Sequence, residues 1–440
     1  MQQAVQNTPT PPSPLERNLT VSVPVAAIEA EIADRLKKLA RTVKMQGFRP
    51  GKVPIKMVER QYGFQVRQEV LSDSVQESFA NAVKTQSYRV AGYPRFQPVQ
   101  AAAQGAPNVE YTATFEVYPE VNIADVGGSI ISRPALQVSD ENVESTLKTL
   151  RKQRAKYNRV ERAAKTEDLV NIDFEGLIAG QPFEGNKASN FTFVVGENRM
   201  LPDFEKAIAG MKEGETKTFP ITFPQDYAEA VKGKTADFTA TVNQVAEAEL
   251  PALDAELAKS LGVVNGDVAQ LKKEVRENIE KEVAKRVKQG VKEQVMEALY
   301  QSANFDVPRA LLDNEIGRMQ EQAVADLKKR GMTTANITLP PDLFADRATR
   351  RLKLSILVTE LVKRNNLQAK PEQTRKIIEE HAESFEQPEQ LVRWYYADPA
   401  RLAEVEALVM EDNVVEWAMG KMKIEDKPTH FDELMGTNKA

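Results

Sequence analysis

The side chains that carry most covalent and metal chemistry are scarce in this sequence. It contains no cysteine, so thiolate nucleophiles, disulfides and zinc–thiolate sites are excluded. Its two histidines, His381 and His430, lie far apart in polar surroundings, which argues against a histidine metal site or a histidine-based triad. Carboxylates are present between residues 168 and 245, but no pair there has a spacing that suggests acid–base work. What that segment offers is aromatic surface. Phe174, Phe183, Phe191, Phe193, Phe204, Phe219, Phe223 and Phe238 are eight of the 17 phenylalanines in the chain. Taken singly, each reads first as part of a small β core, because phenylalanine is mostly buried. Together they are also suited to an apolar, water-poor binding pocket.

A second constellation is made for docking. Residues 47–54 read Gly-Phe-Arg-Pro-Gly-Lys-Val-Pro. Two glycines and two prolines forbid a helix or an interior strand, so this is a stiff loop. Its tip offers the aromatic Phe48 and the cations Arg49 and Lys52. From Arg35 to Arg60 nine basic residues stand against one acid, Glu59, a local charge of +8 in a chain of net charge −5. A positive patch on an acidic protein is a local electrostatic footprint suited to a phosphate-rich partner. A solvated helix face, with Phe48 tucked into a local core, is the plainer alternative.

These groups need elements to hold them. A length of 440 residues predicts about three domains at roughly 150 residues each. A composition of 41% hydrophobic and 28% charged residues is ordinary for a globular protein. Residues 1–14 read as a disordered lead-in and lack the basic start and apolar run of a signal peptide. No apolar run reaches a membrane-spanning length, so no membrane association and a cytoplasmic location are expected.

Residues 15–118 read as an α+β domain. A strand is predicted over Leu19–Val23, an amphipathic helix over Ile28–Lys44, a helix over Val66–Lys84 and an alternating strand over Tyr111–Val117. Residues 119–165 read as a connector. Ile130 and Ile131 are extended there, and Ser139 caps a helix running through Tyr157, whose basic second half, Lys148–Arg162, reads as a solvated face. Residues 166–246 alternate short strands (Leu169–Phe174, Phe191–Val195, Thr216–Phe223, Asp237–Val245) with glycine-bearing turns and one helix, Phe204–Met211. The expected shape is a small twisted sheet wrapped round that helix.

Residues 247–440 read as helical. Val268, Leu271, Val275, Ile279, Val283, Val287, Val291, Val295 and Leu299 recur mostly every fourth residue. That stride drifts by about 40° per step on a 3.6-residue turn, so the stripe winds round the helix and is no strict coiled coil. Helices are also expected over Pro308–Lys329, Asp342–Lys363 and Pro371–Glu383, with two more within 388–424. Together they suggest an extended helical body with arms. Seven of the 12 methionines fall here: Met296, Met319, Met332, Met410, Met419, Met422 and Met435. Thioethers suit surfaces that accept many apolar segments, with ordinary helix–helix core as the alternative.

The octapeptide, Gly-Phe-Arg-x-Gly-Lys-x-Pro after a basic helix, resembles the ribosome-docking loop of trigger factor, a family of bacterial chaperones at the nascent-chain exit tunnel. The resemblance covers essentially the whole chain. It implies that Phe48, Arg49 and Lys52 contact a ribosomal protein and ribosomal RNA beside the exit. Pro50 stands where some members carry a second cation.

The middle segment carries Val170-Asn-Ile-Asp-Phe-Glu-Gly176, Gly180-Gln-Pro-Phe-Glu-Gly185, Phe191-Thr-Phe-Val-Val-Gly196, Met200-Leu-Pro-Asp-Phe-Glu205, Pro224-Gln-Asp-Tyr227 and Asp237-Phe238 in one order. This resembles the FK506-binding-protein class of peptidyl-prolyl isomerases in the form found inside trigger factor. The resemblance implies a proline-binding pocket of Phe174, Phe183, Glu184, Phe191, Met200, Leu201, Phe204, Tyr227 and Phe238. It implies Phe204 as the floor, with the Leu201 N–H and the Tyr227 hydroxyl as hydrogen-bond donors to the substrate. Phe204 replaces the usual tryptophan of the small proteins of this class, Glu184 their aspartate and Asp203 a common glycine.

The resemblance further implies a multidomain α+β chain: a docking domain, an isomerase domain and an all-α cradle with arms, against which the connector packs. The implied partners are the ribosome and nascent or unfolded polypeptides, without ATP, metal or other cofactor. No Gly-x-x-x-x-Gly-Lys-Ser/Thr phosphate loop occurs, which agrees. A weak homodimer of the unbound chain stays open. Two other readings remain: an isomerase-chaperone that does not dock, and a nucleic-acid-binding regulator using the Arg35–Arg60 patch.

Overall fold

The computed structural model describes residues 13–46, 48, 51–99, 107–227, 231–331, 339–383 and 385–436. Most of the lead-in, Arg49, Pro50 and Met332 therefore lie outside the described residues.

The chain opens with β1 (Glu16–Pro24), α1 (Val25–Thr42), α2 (Ile55–Thr85), β2 (Val90–Pro98) and β3 (Asn108–Val117). The strands form an antiparallel sheet in the order β1-β3-β2. Ile28, Ile32, Leu36 and Ala40 of α1 recur at helical spacing and are buried with Val66, Val70, Val75 and Phe79 of α2. Phe79 meets Phe96 and Phe115 of the sheet edge-on, at 5.6 and 5.1 Å. The helix expected over Val66–Lys84 begins eleven residues earlier, directly after Pro54, whose carbonyl accepts the first helical bonds from the Met57 and Val58 N–H groups at 2.9 and 3.3 Å. Strand β2 carries no clear alternation. Its register shifts between Ala91 and Arg95 around Gly92 and Pro94, a break of the kind that prolines and glycines make in strands.

Next come β4 (Ile130–Ala135), α3 (Asp140–Lys152) and β5 (Lys156–Arg159). Helix α3 starts where expected. The Ser139 Oγ accepts from the Asn142 N–H at 3.3 Å, and the Asn142 Oδ1 accepts from the Ser139 N–H at 2.9 Å. It ends five residues before Tyr157, which corrects the sequence expectation. Residues 156–159 instead pair with the end of a strand some ninety residues further on, a partner no local pattern announces.

Then follow β6 (Leu169–Leu177), β7 (Lys187–Val194), α4 (Pro202–Ile208), β8 (Thr216–Thr222) and β9 (Thr235–Glu249). The sheet order is β5-β9-β6-β7, with β8 also pairing β9. Strand β9 alternates cleanly, burying Ala236, Phe238, Ala240 and Val242. Its other face meets β8 through threonine pairs, Thr216–Thr241, Thr218–Thr239 and Thr222–Thr235, with hydroxyls 2.8–3.0 Å apart. Helix α4 packs its Phe204 and Ile208 into the concave side of this sheet.

The rest is mainly helical: α5 (Ala255–Ser260), α6 (Val268–Ser302), α7 (Arg309–Lys329), α8 (Asp342–Asn365), α9 (Pro371–Ala382), α10 (Pro388–Tyr396), α11 (Pro399–Met419), then β10 (Lys423–Pro428) and α12 (Phe431–Met435). Strand β10 pairs with β4, a strand within a region that reads as helical throughout. The four-residue stripe of α6 is buried at Leu271, Val275, Ile279 and Val283 against Val143 and Leu147 of α3. The connector also meets the helical region near Gln294, whose amide exchanges hydrogen bonds with the Ser132 backbone at 2.9 and 2.7 Å.

By its contacts the chain divides into two compact units, residues 1–133 with 290–425 and residues 134–289 with 426–440. The first holds the N-terminal sheet and most of the long helices. The second holds the β5–β9 sheet and the first half of α6.

Of the six described methionines beyond residue 290, Met296 and Met422 are buried, and Met319 packs on Ile316 and Phe344. Met410, Met419 and Met435 are half-buried. Met296, Met319 and Met422 therefore follow the core alternative. The exposed apolar groups of this region include Leu343, Phe385, Trp394, Tyr396 and Leu408.

Candidate functional site

The aromatic residues of the β5–β9 sheet converge because strand period and close packing both demand it. On β6, Val170 and Ile172 fill the core and Phe174, two residues on, reaches the same side nearer the edge. A register irregularity against β7 between Ile172 and Phe174 bends the strand there. Gly176 lies opposite Phe238 of β9. A Cβ at Gly176 would stand 2.5 Å from the Phe238 ring, so only glycine lets that ring lie across the strand.

Phe204, 1% exposed, sits at the centre of the cluster. It is edge-on to Phe174 at 5.5 Å, Phe219 at 5.2 Å and Phe238 at 5.4 Å. Phe183 meets Phe223 edge-on at 5.7 Å and Phe238 at 6.2 Å. Its loop is pinned by the buried Asn186, whose Nδ2 donates to the Gly176 carbonyl at 3.0 Å. Tyr227 leans on Phe223 at 5.2 Å and remains 49% exposed. Each such ring pair adds about 0.5–1.5 kcal/mol beyond its buried area, and the network fixes ring orientations.

These rings enclose an open cavity of about 690 Å³. Of the residues expected at the pocket, Phe174, Phe183, Glu184, Met200, Leu201, Phe204, Tyr227 and Phe238 line it. Phe191 stands outside the lining and braces Phe174 edge-on at 5.9 Å. Sequence reasoning left Phe223, Val231, Asn198 and Arg199 out of the wall. Phe223 was legible only as the end of a strand; its ring reaches the cavity because the chain turns there into Pro224–Tyr227. The wall is largely apolar, with Glu184 and Arg199 exposed at the rim. Among the described residues no cluster of His, Cys, Asp and Glu could hold a metal ion. Such a cavity can strip water from an apolar segment and a peptide bond beside it.

The start of β6 is tied down by charge. The Arg162 guanidinium donates to both carboxylate oxygens of Asp168, at 2.5 and 3.0 Å, and the Lys165 N–H donates at 2.8 Å. Arg162 also pairs with Glu247 at 3.0 Å, so the basic end of the Lys148–Arg162 run is not simply a solvated face. Burial pushes the Asp168 carboxyl up, but its bonds to Arg162 and Lys165 outweigh that and hold it below the usual range.

In the N-terminal unit, the loop after α1 is anchored by the buried Val53 and by Val43 and Met45 packed on the same core. The Phe48 N–H donates to the Met45 carbonyl at 3.1 Å, and Gly51 has φ +79°, a conformation that suits glycine. Phe48 is 37% exposed, so the core does not enclose it, and Lys52 is exposed. Arg35 is held by Glu31 at 3.0 Å and Asp73 at 2.7 Å, which compensates one charge of the basic patch.

A small antiparallel sheet curled over one short helix, with an aromatic cavity between them, defines an isomerase class. Residues 160–247 match the FKBP-type peptidyl-prolyl cis-trans isomerase family. Residues 5–150 match the bacterial trigger factor protein (TF) and residues 267–420 its C-terminus. A trigger factor of Aromatoleum aromaticum is 50% identical over 433 residues, covering 98% of this chain and 99% of its own. One of Chromobacterium violaceum is 49% identical over 426 residues, covering 97% and 98%. A solved trigger factor chaperone, 19% identical, covers 92% of this chain and 97% of its own with a TM-score of 0.46. The chain belongs to the trigger factor family and carries that family's FKBP-type isomerase domain.

Proposed function

We propose that this chain works as an ATP-independent chaperone that docks at the ribosomal exit tunnel, binds nascent chains and turns X–Pro peptide bonds in the cavity between α4 and its sheet. The cavity carries this reading: it is apolar, built from interlocked rings and open to a peptide. Rotation about an X–Pro bond sacrifices amide resonance, against an ordinary peptide barrier of about 18–20 kcal/mol. The twisted amide is less charge-separated than the planar one, so a water-poor pocket favours it over the ground state. That is differential binding, with no proton relay and no nucleophile. Phe204 forms the floor for the proline ring. Phe174, Phe183, Met200, Leu201 and Phe238 wall it, with Phe191 behind Phe174 and Glu184 at the rim. Among the described residues nothing accepts from the Leu201 N–H, which leaves it for a substrate carbonyl, and the Tyr227 hydroxyl is the second donor.

The finer roles follow the same reading. Residues 15–118 dock, with Phe48, Arg49 and Lys52 meeting an exit-tunnel protein and ribosomal RNA. Residues 119–165 connect, 166–246 isomerise and 247–440 hold clients. Residues 1–14 are a lead-in. A weak homodimer of the unbound protein stays open, and the protein resides in the cytoplasm. No described helix is long and apolar enough to cross a membrane.

The site is tested with Phe204→Ala/Tyr227→Ala. Isomerisation of a proline tetrapeptide should be abolished while suppression of aggregation stays largely intact. Undiminished isomerase activity in that variant would remove the cavity from the mechanism.

A further inference from the structure

Glu205 is an acid where the fold has little room for one. It lies on α4 directly after the pocket floor, 3% exposed, and no described cation pairs with it. Three backbone amides surround its carboxylate instead. Oε2 accepts from the Gly196 N–H at 2.7 Å and the Asn198 N–H at 3.3 Å. Oε1 accepts from the Met200 N–H at 3.0 Å. A buried carboxylate is costly unless donors replace its water, and these three do so.

The donors belong to the turn that builds one wall of the cavity, including Asn198, Arg199, Met200 and Leu201. That turn runs through left-handed backbone. Gly196 has φ +92° and Asn198 φ +56°, conformations that glycine and asparagine accept more readily than other residues. The Leu201 carbonyl is fixed from the other side, accepting from the Phe204 and Glu205 N–H groups at 2.8 and 3.1 Å. Leu201 therefore stands between two clamps. Its carbonyl is held by the first turn of α4, and the amide of its preceding residue is held by the Glu205 side chain.

We infer that Glu205 is a positioning residue for the isomerisation: its carboxylate gathers the 196–200 amides and thereby aims the Leu201 N–H and the Met200 side chain into the cavity. This rests on the reading of that cavity as the isomerase site. Glu205 touches no substrate. A group displaced by about 1 Å can lose on the order of a hundredfold in rate, which sets the scale of the effect.

Glu205→Gln keeps the side-chain shape but turns one acceptor oxygen into a donor. The amide group keeps most bonds by leaving its oxygen on Gly196 and Asn198, so the Met200 N–H loses its partner. In the full-length protein, kcat/KM for a proline tetrapeptide should fall about tenfold. The amide resonances of Met200 and Leu201 should shift and broaden, while those of Phe219 and Ile221 in the core stay put. In the wild type, the Gly196 and Met200 amides should exchange with solvent far more slowly than exposed loop amides.

The inference is overturned by any of three results: wild-type kcat/KM in Glu205→Gln, a loss of activity no larger than its unfolded fraction by circular dichroism, or free exchange of those amides in the wild type. Phe204→Ala/Tyr227→Ala run alongside separates the two claims. Full activity there defeats the pocket reading itself. An inactive double variant beside a fully active Glu205→Gln defeats the positioning role alone.

Discussion

Phe238 touches Phe174, Phe183, Phe204 and Phe223 with centroids 5.4–6.3 Å away, and it can do so because position 176 has no Cβ. Gly176→Ala should force the ring aside, costing about 1–3 kcal/mol by overpacking and lowering isomerase kcat/KM. Calorimetry of the variant beside a peptide assay checks both, and an unchanged pair of values would mean the ring has room that the packing denies it. Asp168 acts through charge. Its folded carboxyl titrates below the value of about 3.9 for a free aspartate, so the protonated form is favoured on unfolding. The stabilisation is therefore complete above about pH 4 and is lost as the pH falls through the folded value. Asp168→Asn should cost about 2–3 kcal/mol at pH 7, because Arg162 keeps only Glu247 and the Lys165 amide a weaker acceptor. Thermal unfolding at pH 7 and pH 3 should show the gap between wild type and variant closing at the acid end.

At the scale of elements, caps and long-range pairings divide the work. Helix α3 begins at a reciprocal Ser139–Asn142 cap that the sequence displays openly. Ser139→Ala should cost about 1 kcal/mol, and the loss should be local. Faster amide exchange in the first turn of α3 with unaltered isomerase activity is the expected outcome. The other end of α3 is set by tertiary pairing, since β5 is a strand only because residues 246–249 of β9 are there to receive it. Likewise α4 has seven residues, too few to be stable alone. It exists because Phe204 and Ile208 bury completely against the sheet.

At the scale of the whole molecule the docking loop is tested on the full-length protein. Co-sedimentation with bacterial ribosomes should carry the wild type into the pellet and leave Phe48→Ala/Arg49→Ala in the supernatant. Equal pelleting of both, weakening steeply with salt, would mean generic RNA binding by the basic patch. Pelleting of neither would favour an isomerase-chaperone that acts off the ribosome. The exposed Phe48 and Lys52, presented from a loop whose flanks Met45 and Val53 are held in the core, favour the first result.

The sequence by itself determined the family-bearing motifs, the positions of nearly all helices and the strands with clean alternation, such as β9. Those depend on local periodicity, on proline and glycine punctuation and on caps, all of which are written in neighbouring residues. Eight of the nine residues expected at the pocket line the cavity. Their order along the chain was legible, but which ring faces inward was not. Only the tertiary structure decided that Phe191 braces from outside, that Phe223 joins the wall and that β5 and β10 are strands. It alone also decided that Glu205 is buried under three amides. Burial, strand register and hydrogen-bond partners of this kind are set by residues tens of positions away, or by how a loop turns back on the next helix, and no local pattern encodes them.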